Sequence, residues 1–152
     1  MKKVFAPFVG GPGAVGLLLL RIAMGVAFVI HGSGKVGWPN VSIGHAMSWM
    51  GPKSDIPGFF QGLAALAEFG GGLALIFGFV TPLAALGIMA TMAVAYFKVM
   101  VPNHIPFVAD KPGAMSYELV AVFFTAATLF LTVGPGKLSL DYLIFGNGKK
   151  RK

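Results

Sequence analysis

The chain contains no cysteine and little charge. Only 11% of its 152 residues are Asp, Glu, Lys or Arg, whereas soluble domains carry about 25%. The missing cysteines exclude disulfides, thiol redox chemistry, thiolate metal sites and iron–sulfur ligation by this chain. Any electron transfer would therefore need cofactors held by another protein.

Apolar residues are what the chain has in abundance, at 56% of the sequence. Four apolar stretches, at roughly 14–32, 59–80, 83–101 and 117–133, each approach the ~20 residues that cross a bilayer as a helix. The sequence therefore predicts an all-α fold, an integral membrane four-helix bundle. A chain of 152 residues has room for one such membrane domain, 1–152.

Basic residues outnumber acidic ones, giving a net charge of +7, and the densest run is the terminal "GKKRK". Beside a membrane, anionic lipid headgroups are a more suitable partner for this run than nucleic acid. Seven Lys or Arg residues fall on the side of the termini and four on the other, which predicts that both termini are cytoplasmic. In the first outer loop, "VSIGHAMSWM" is expected to form a short interfacial helix.

Several ionisable groups fall inside or at the ends of the predicted spans, where they are costly unless they face protein. We expect Arg21 to share its charge with Glu68, as a functional pair or as a contact that only fixes helix packing. The outer half of the bundle is expected to form a polar pocket, which makes its residues candidates for cofactor binding: His31, Lys35, Glu68, Lys98, Tyr117 and Glu118. The alternative is that Lys98 and its neighbours extend separately into water. No spacing of residues suggests a metal site.

Helical spacing assigns these residues to faces. Arg21, Gly25, Phe28, Gly32 and Lys35 share one face of the first span. On the second span, Glu68 lies among small residues that allow close helix approach. The fourth span has a polar stripe, which we expect to turn toward the bundle interior: Glu118, Ala121, Thr125, Thr128 and Thr132.

The segments "RIAMGVAFVIHGSGKV", "LAALAEFGGGLALIFGFVTPLAAL" and "YELVAVFFTAATLFLTVGPGKLSLD", in that order, resemble the DoxX family of small bacterial membrane proteins. The resemblance extends over about 17–141. It differs after the second span, where this chain has Thr81-Pro82 and the family commonly has Thr-Arg. The resemblance implies a four-helix bundle in the bacterial cytoplasmic (inner) membrane.

The resemblance also implies a link to redox physiology, because relatives include a subunit of a thiosulfate:quinone oxidoreductase and members associated with oxidative and thiol stress. Three hypotheses follow. The chain anchors and assembles protein partners in a membrane redox complex, as a hetero- or homo-oligomer. Alternatively, it binds a quinone, the one cofactor expected, through His31 or Tyr117 with Glu68 or Glu118 exchanging a proton. The third hypothesis is a small transporter or proton conduit along the polar faces.

Overall fold

A computed structural model describes residues 8–146, and in this part of the chain all regular structure is helical. The helices are α1 (Pro12–Val36), α2 (Ile43–Ala46), α3 (Gly58–Phe77), α4 (Thr81–Met100), α5 (Glu118–Val133) and α6 (Leu140–Phe145). Two of them contain one wider π-helical turn, Leu66–Gly70 in α3 and Tyr96–Met100 in α4. The predicted all-α class is confirmed.

Three helices, α1, α3 and α4, are long and apolar enough to cross a membrane. The fourth apolar helix, α5, has 16 residues and is about 24 Å long at 1.5 Å per residue. The four helices overlap the four predicted spans. The largest difference is at α1, which continues through His31-Gly-Ser-Gly-Lys35 to Val36 and ends where Gly37 adopts the left-handed conformation.

Helices α3 and α4 form a tight hairpin. Gly78 ends α3 with a φ of 64°, a conformation that glycine adopts without steric cost. Pro82 lies in the first turn of α4, where its missing N–H removes no hydrogen bond. The turn therefore reverses the chain within three residues, 78–80.

Glycines bring α1 and α3 into backbone contact. A Cβ on Gly25 would lie 2.7 Å from the carbonyl oxygen of Gly72, and one on Gly72 would lie 2.7 Å from the amide nitrogen of Val29. At Gly32 a Cβ would lie 2.7 Å from the Cα of Phe69. Any larger side chain at these positions would separate the helices, so this contact fixes the register of the two antiparallel helices.

The core lies between α1, α3, α4 and α5. Phe28 of α1 packs on Phe123 of α5 with ring centroids 4.8 Å apart, which brings the first and the last of these four helices into contact. The largest fully buried apolar side chains come from all four helices: Phe28, Leu75, Ile88 and Phe130. The predicted small or polar faces of the first two spans are buried, as expected.

The polar stripe of α5, which was expected to turn inward, does so only in part. Thr128 is half-buried against the Met89 sulfur of α4, whereas Glu118, Thr125 and Thr132 are exposed. The threonine hydroxyls donate to the carbonyl oxygens four residues earlier, at 2.8 Å for Thr125 and 2.9 Å for Thr132. Because the backbone of their own helix satisfies these hydroxyls, they need no partner in the interior.

The segments next to the two chain termini meet at one end of the bundle. The Lys137 amide donates to the Val9 carbonyl oxygen at 2.8 Å. At the other end, the predicted loop helix is the single turn α2, where the Ser42 hydroxyl accepts from the His45 amide at 3.1 Å. We call these the Val9 end and the Lys35 end.

Candidate functional site

A groove of about 910 Å³ runs along the outside of the bundle between α3 and α4. We call it the lateral groove. On α4 its wall extends from Leu83 to Val99, about 24 Å at 1.5 Å per residue. Most of the wall is apolar, including Leu63, Leu66 and Val94, and its charged groups are Lys35, Glu68 and Lys98.

Lys35 and Glu68 form an ion pair in the groove. The Lys35 Nζ donates to the Glu68 Oε1 at 2.6 Å, with 21% and 6% of the two side chains exposed. The same ammonium lies 4.4 Å from the ring centroid of Trp49, a favourable cation–π distance. The second oxygen, Glu68 Oε2, is buried and has no hydrogen-bond partner among residues 8–146.

The π-helical turn Leu66–Gly70 positions this carboxylate. A π turn inserts extra backbone into a helix and changes the direction of the side chains beyond it, and such turns are frequent at functional sites. Here the turn includes Glu68 and lies where α3 contacts α1 at Gly32. Glu68 consequently lies at the level of Lys35.

Gln61 attaches the loop before α3 to the Lys35 end of the groove. Its side-chain oxygen accepts from the Met50 amide at 3.0 Å, and its side-chain nitrogen donates to the Ile56 carbonyl at 2.8 Å. The Trp49 indole donates to the Gln61 backbone carbonyl at 3.2 Å. These three hydrogen bonds hold the Trp49 ring beside Lys35.

The predicted pairing of Arg21 with Glu68 is not found. Since Gly32 packs against Phe69 in the antiparallel α1–α3 contact, Glu68 lies near Lys35, whereas Arg21 precedes Gly32 by about 16 Å along α1. The fully buried Arg21 instead donates from Nη2 to the Leu138 carbonyl oxygen. Its Nε and Nη1 have no hydrogen-bond partner within the described residues.

Arg21 lies against the hairpin turn and the segment before α6. A Cβ on Gly78 would overlap the Arg21 Nη1, and Asp141 supplies the nearby opposite charge. The Asp141 carboxylate accepts from the amides of Val80 and Thr81 at 2.7 and 2.8 Å, which caps the start of α4. This arrangement joins the end of the described chain to α1, α3 and α4.

Three of the predicted site residues do not line the groove. His31 is exposed on α1, with its ring centroid 6.5 Å from that of Phe28. Tyr117 packs between the rings of Tyr96 and Phe107, at 5.2 Å from each. Glu118 is exposed at the start of α5, which packs on the Met89 side of α4, away from the groove. The predicted pocket thus divides: of its six residues, Lys35, Glu68 and Lys98 line the lateral groove.

Three residues of these arrangements, Trp49, Gln61 and Asp141, were not among the site residues predicted from the sequence. Gln61 and Glu68 share a helix face, and Asp141 ends the last segment of the family resemblance, so both had a detectable signal. Trp49 had none, because its position depends on the path of the loop over α3.

Together, the apolar helices and the groove that opens sideways define a class, multi-pass helical membrane proteins. The family model of DoxX matches residues 16–101. The chain belongs to the DoxX family.

One relative is the inner membrane protein YqjF of Escherichia coli (strain K12). It is 34% identical over 132 residues, covering 86% of this chain and 92% of that protein. The predicted family and the predicted location, a multi-pass protein of the inner membrane, are confirmed. No solved structure matches the chain.

Proposed function

We propose that this chain is a quinone-binding subunit of a redox-linked system in the bacterial inner membrane. The observation that carries the proposal is the lateral groove, which is apolar over most of its length and has Lys35, Glu68 and Lys98 as its charged groups. A quinone has the matching shape, with a long apolar tail and a ring that bears two oxygen acceptors.

The size of the groove supports a lipid-soluble ligand. Its volume of about 910 Å³ lies in the upper part of the 300–1,000 Å³ range of small-molecule sites. Because the groove opens on the side of the bundle between two helices, a ligand would enter it directly from the hydrocarbon region. The groove does not pass through the bundle interior, which favours ligand binding over a proton conduit.

The charged groups supply what a quinone ring needs. The ammonium groups of Lys35 and Lys98 are donors for the ring oxygens, and the unpartnered Glu68 Oε2 is suited to exchange the proton that accompanies quinone reduction. The Trp49 ring gives a flat apolar surface beside Lys35. Electrons would come from a partner protein.

Anchoring and assembly of partners is a second candidate, favoured by a different feature of the same groove. Gly87, Thr91 and Ala95 line it at spacings of four residues, which allows close approach of another helix. In this case a partner's transmembrane helix, or a second copy of this chain, would occupy the groove instead of a quinone.

The proposal includes the orientation of the bundle. We place α5 as a fourth span and both termini on the cytoplasmic side, so that the Lys35 end and α2 lie at the outer surface. The seven-to-four distribution of basic residues supports this orientation. The meeting of Val9 with Lys137 supports an even number of crossings.

Trp49 provides a direct test of quinone binding. The variant Trp38→Phe leaves Trp49, in the groove, as the single tryptophan, and a ubiquinone analogue with a decyl tail is titrated into the purified protein in lipid nanodiscs. We expect saturable fluorescence quenching. Adding Ala90→Phe, at the groove rim, should weaken binding about tenfold or more, equivalent to about 1.4 kcal/mol.

Leu86→Phe is the matched control, because Leu86 is exposed on α4 but does not line the groove. It should leave the titration unchanged. Non-saturable quenching with the same slope in all variants would indicate partition into lipid alone and would refute quinone binding. If Ala90→Phe instead disrupts co-purification with a partner or self-association, the assembly function is favoured.

A further inference from the structure

A second cavity lies beside the Lys35 end of the lateral groove. We call it the loop cavity. Its volume is about 500 Å³, and it is lined by residues of the segment 47–58 and by Gln61. Its lining includes the exposed residues Ser48 and Asp55, so the loop cavity faces the water at this end of the bundle. A largely apolar groove and a water-facing cavity are thus neighbours.

Gln61 lies between these two cavities. Gln61 and Ile56 line both of them, which makes these residues part of the wall that separates the groove from the loop cavity. The Gln61 side chain is buried near the start of α3. Glu68 follows seven residues later on the same helix, about 10 Å along its axis. Water that passes Gln61 would therefore reach the charged end of the groove.

Hydrogen bonds from Gln61 hold the part of the loop that lines the groove. The loop contributes Trp49, Met50 and Ile56 to the groove. The Gln61 side chain accepts from the Met50 amide and donates to the Ile56 carbonyl, and the Gln61 backbone carbonyl accepts from the Trp49 indole. Because all three of these loop residues are bonded to Gln61, the loop side of the groove wall depends on this one residue.

We propose that Gln61 is a positioning residue that builds the wall between the lateral groove and the loop cavity and limits the access of water to the Glu68 carboxylate. An amide side chain suits this role, because it has both a donor and an acceptor and brings no charge into the groove. Excluding water also strengthens the attraction between the charges of the groove. Presenting the Trp49 ring to a quinone rests on the proposed function, whereas separating the two cavities does not.

The absence of native cysteine allows a direct test. Ala64 lines the groove one turn beyond Gln61 and does not line the loop cavity, so Ala64→Cys places a single thiol on the groove side. The full chain in lipid nanodiscs is treated with a charged thiosulfonate reagent, which hydrocarbon excludes, and the reaction should be slow. Gln61→Met has a similar length but no amide. It should raise the rate about tenfold or more, because opening the wall no longer breaks the two side-chain hydrogen bonds.

Ser54→Ala is the matched control. It removes a loop hydrogen bond on the side of the loop cavity, from the Ile56 amide to the Ser54 hydroxyl at 3.2 Å, and leaves the bonds of Gln61 in place. It should not change the rate at Ala64→Cys. A thiol in the loop cavity, Ser48→Cys, should react rapidly with or without Gln61→Met.

A conservative variant keeps the test decisive if Gln61→Met does not fold. Gln61→Glu retains the acceptor for the Met50 amide and loses the donor to the Ile56 carbonyl. It should therefore raise the rate at Ala64→Cys by less than Gln61→Met. No increase with either variant would refute the proposal, and so would an equal increase with Ser54→Ala, which would indicate a general loosening of the loop.

The decyl ubiquinone analogue distinguishes this proposal from the proposed function. It should slow the reaction at Ala64→Cys, and Gln61→Met should weaken this protection. Equal protection with and without Gln61→Met would refute the role of Gln61 toward the quinone ring. No protection in any protein, with the acceleration by Gln61→Met still present, would refute quinone binding and confirm that Gln61 separates the two cavities.

Discussion

At the scale of single residues, burial determines which charges meet. Lys35 and Glu68 pair at 2.6 Å in a largely apolar groove, where an isolated charge would be costly. Arg21, whose charge is equally costly in lipid, donates a hydrogen bond to the Leu138 carbonyl and lies near the opposite charge of Asp141. The two sites lie at different levels of the bundle, so each should respond to mutation independently of the other.

The Lys35–Glu68 pair should appear as an energetic coupling. Glu68→Ala leaves an unpaired ammonium and should lower the free energy of unfolding by roughly 1–3 kcal/mol, less than for a fully buried pair because Lys35 is partly exposed. Combining it with Lys35→Met should recover part of the loss, measured by denaturant unfolding in detergent. The control is Lys98→Met, because Lys98 lines the groove and has no ion pair among residues 8–146. If the losses from Glu68→Ala and Lys35→Met simply add in the double variant, the ion pair contributes nothing to stability.

Gly78 should tolerate no side chain. Gly78→Ala combines a positive φ, which costs about 1–2 kcal/mol for an L-residue, with a clash against Arg21. Gly113→Ala has a φ of 81° but nothing within 4 Å of the new Cβ, so it isolates the conformational cost. Thermal unfolding should show a much larger loss at Gly78, roughly 3 kcal/mol or more in total. Equal losses would show that Arg21 moves away freely.

At the scale of elements, the α1–α3 contact determines which charges share a cavity. Backbone contact through Gly25, Gly32 and Gly72 sets the register of the two helices, and the π turn then places Glu68 beside Lys35. Helix α5 packs on another side of α4, so Tyr117 and Glu118 are excluded from the groove. A shift of α1 along α3 would therefore break the candidate site before it unfolded the helices.

Alanine variants of two glycines in α1 distinguish the effect of helix packing on stability from the effect of helix propensity. Gly32→Ala should destabilise the protein because its Cβ would overlap the Phe69 backbone. Gly34→Ala, on the same helix with nothing within 4 Å, should instead stabilise it by about 0.5 kcal/mol, the gain of alanine over glycine in a helix. The measurement is the unfolding midpoint of the purified proteins. Opposite signs are expected, and a Gly32→Ala variant as stable as the Gly34→Ala variant would mean that the glycine contact does not limit packing.

At the scale of the whole molecule, both ends of the described chain lie at one end of the bundle, since Lys137 contacts Val9. Because the spans are antiparallel neighbours, fixing one connection fixes the side of all the others. The loop 101–117 lies at the opposite end. Orientation in the membrane is therefore a single binary property of this chain.

Fusion reporters should determine that property. Alkaline phosphatase, which is active only after export, should be inactive when fused after Lys152 and active when fused within 101–117. Green fluorescent protein at the same positions should give the inverse pattern. Activity of alkaline phosphatase after Lys152 would reverse the orientation proposed for the bundle and place the Lys35 end of the groove on the cytoplasmic side.

The sequence by itself determined the class, the family and the positions of the helices. Apolar runs of span length and their Gly and Pro boundaries are local features, so 56% apolar composition and spacing were sufficient. It also identified the small faces of α1 and α3, because helical periodicity is local.

Only the tertiary structure decided which partners those faces meet. Glu68 pairs with Lys35 rather than Arg21 because glycine contacts set the register of two helices distant in sequence. Thr125 and Thr132 of α5 are exposed, since each of these hydroxyls has its own backbone as acceptor. Asp141 reaches the start of α4 from 60 residues along the chain, a distance at which neither periodicity nor propensity carries information.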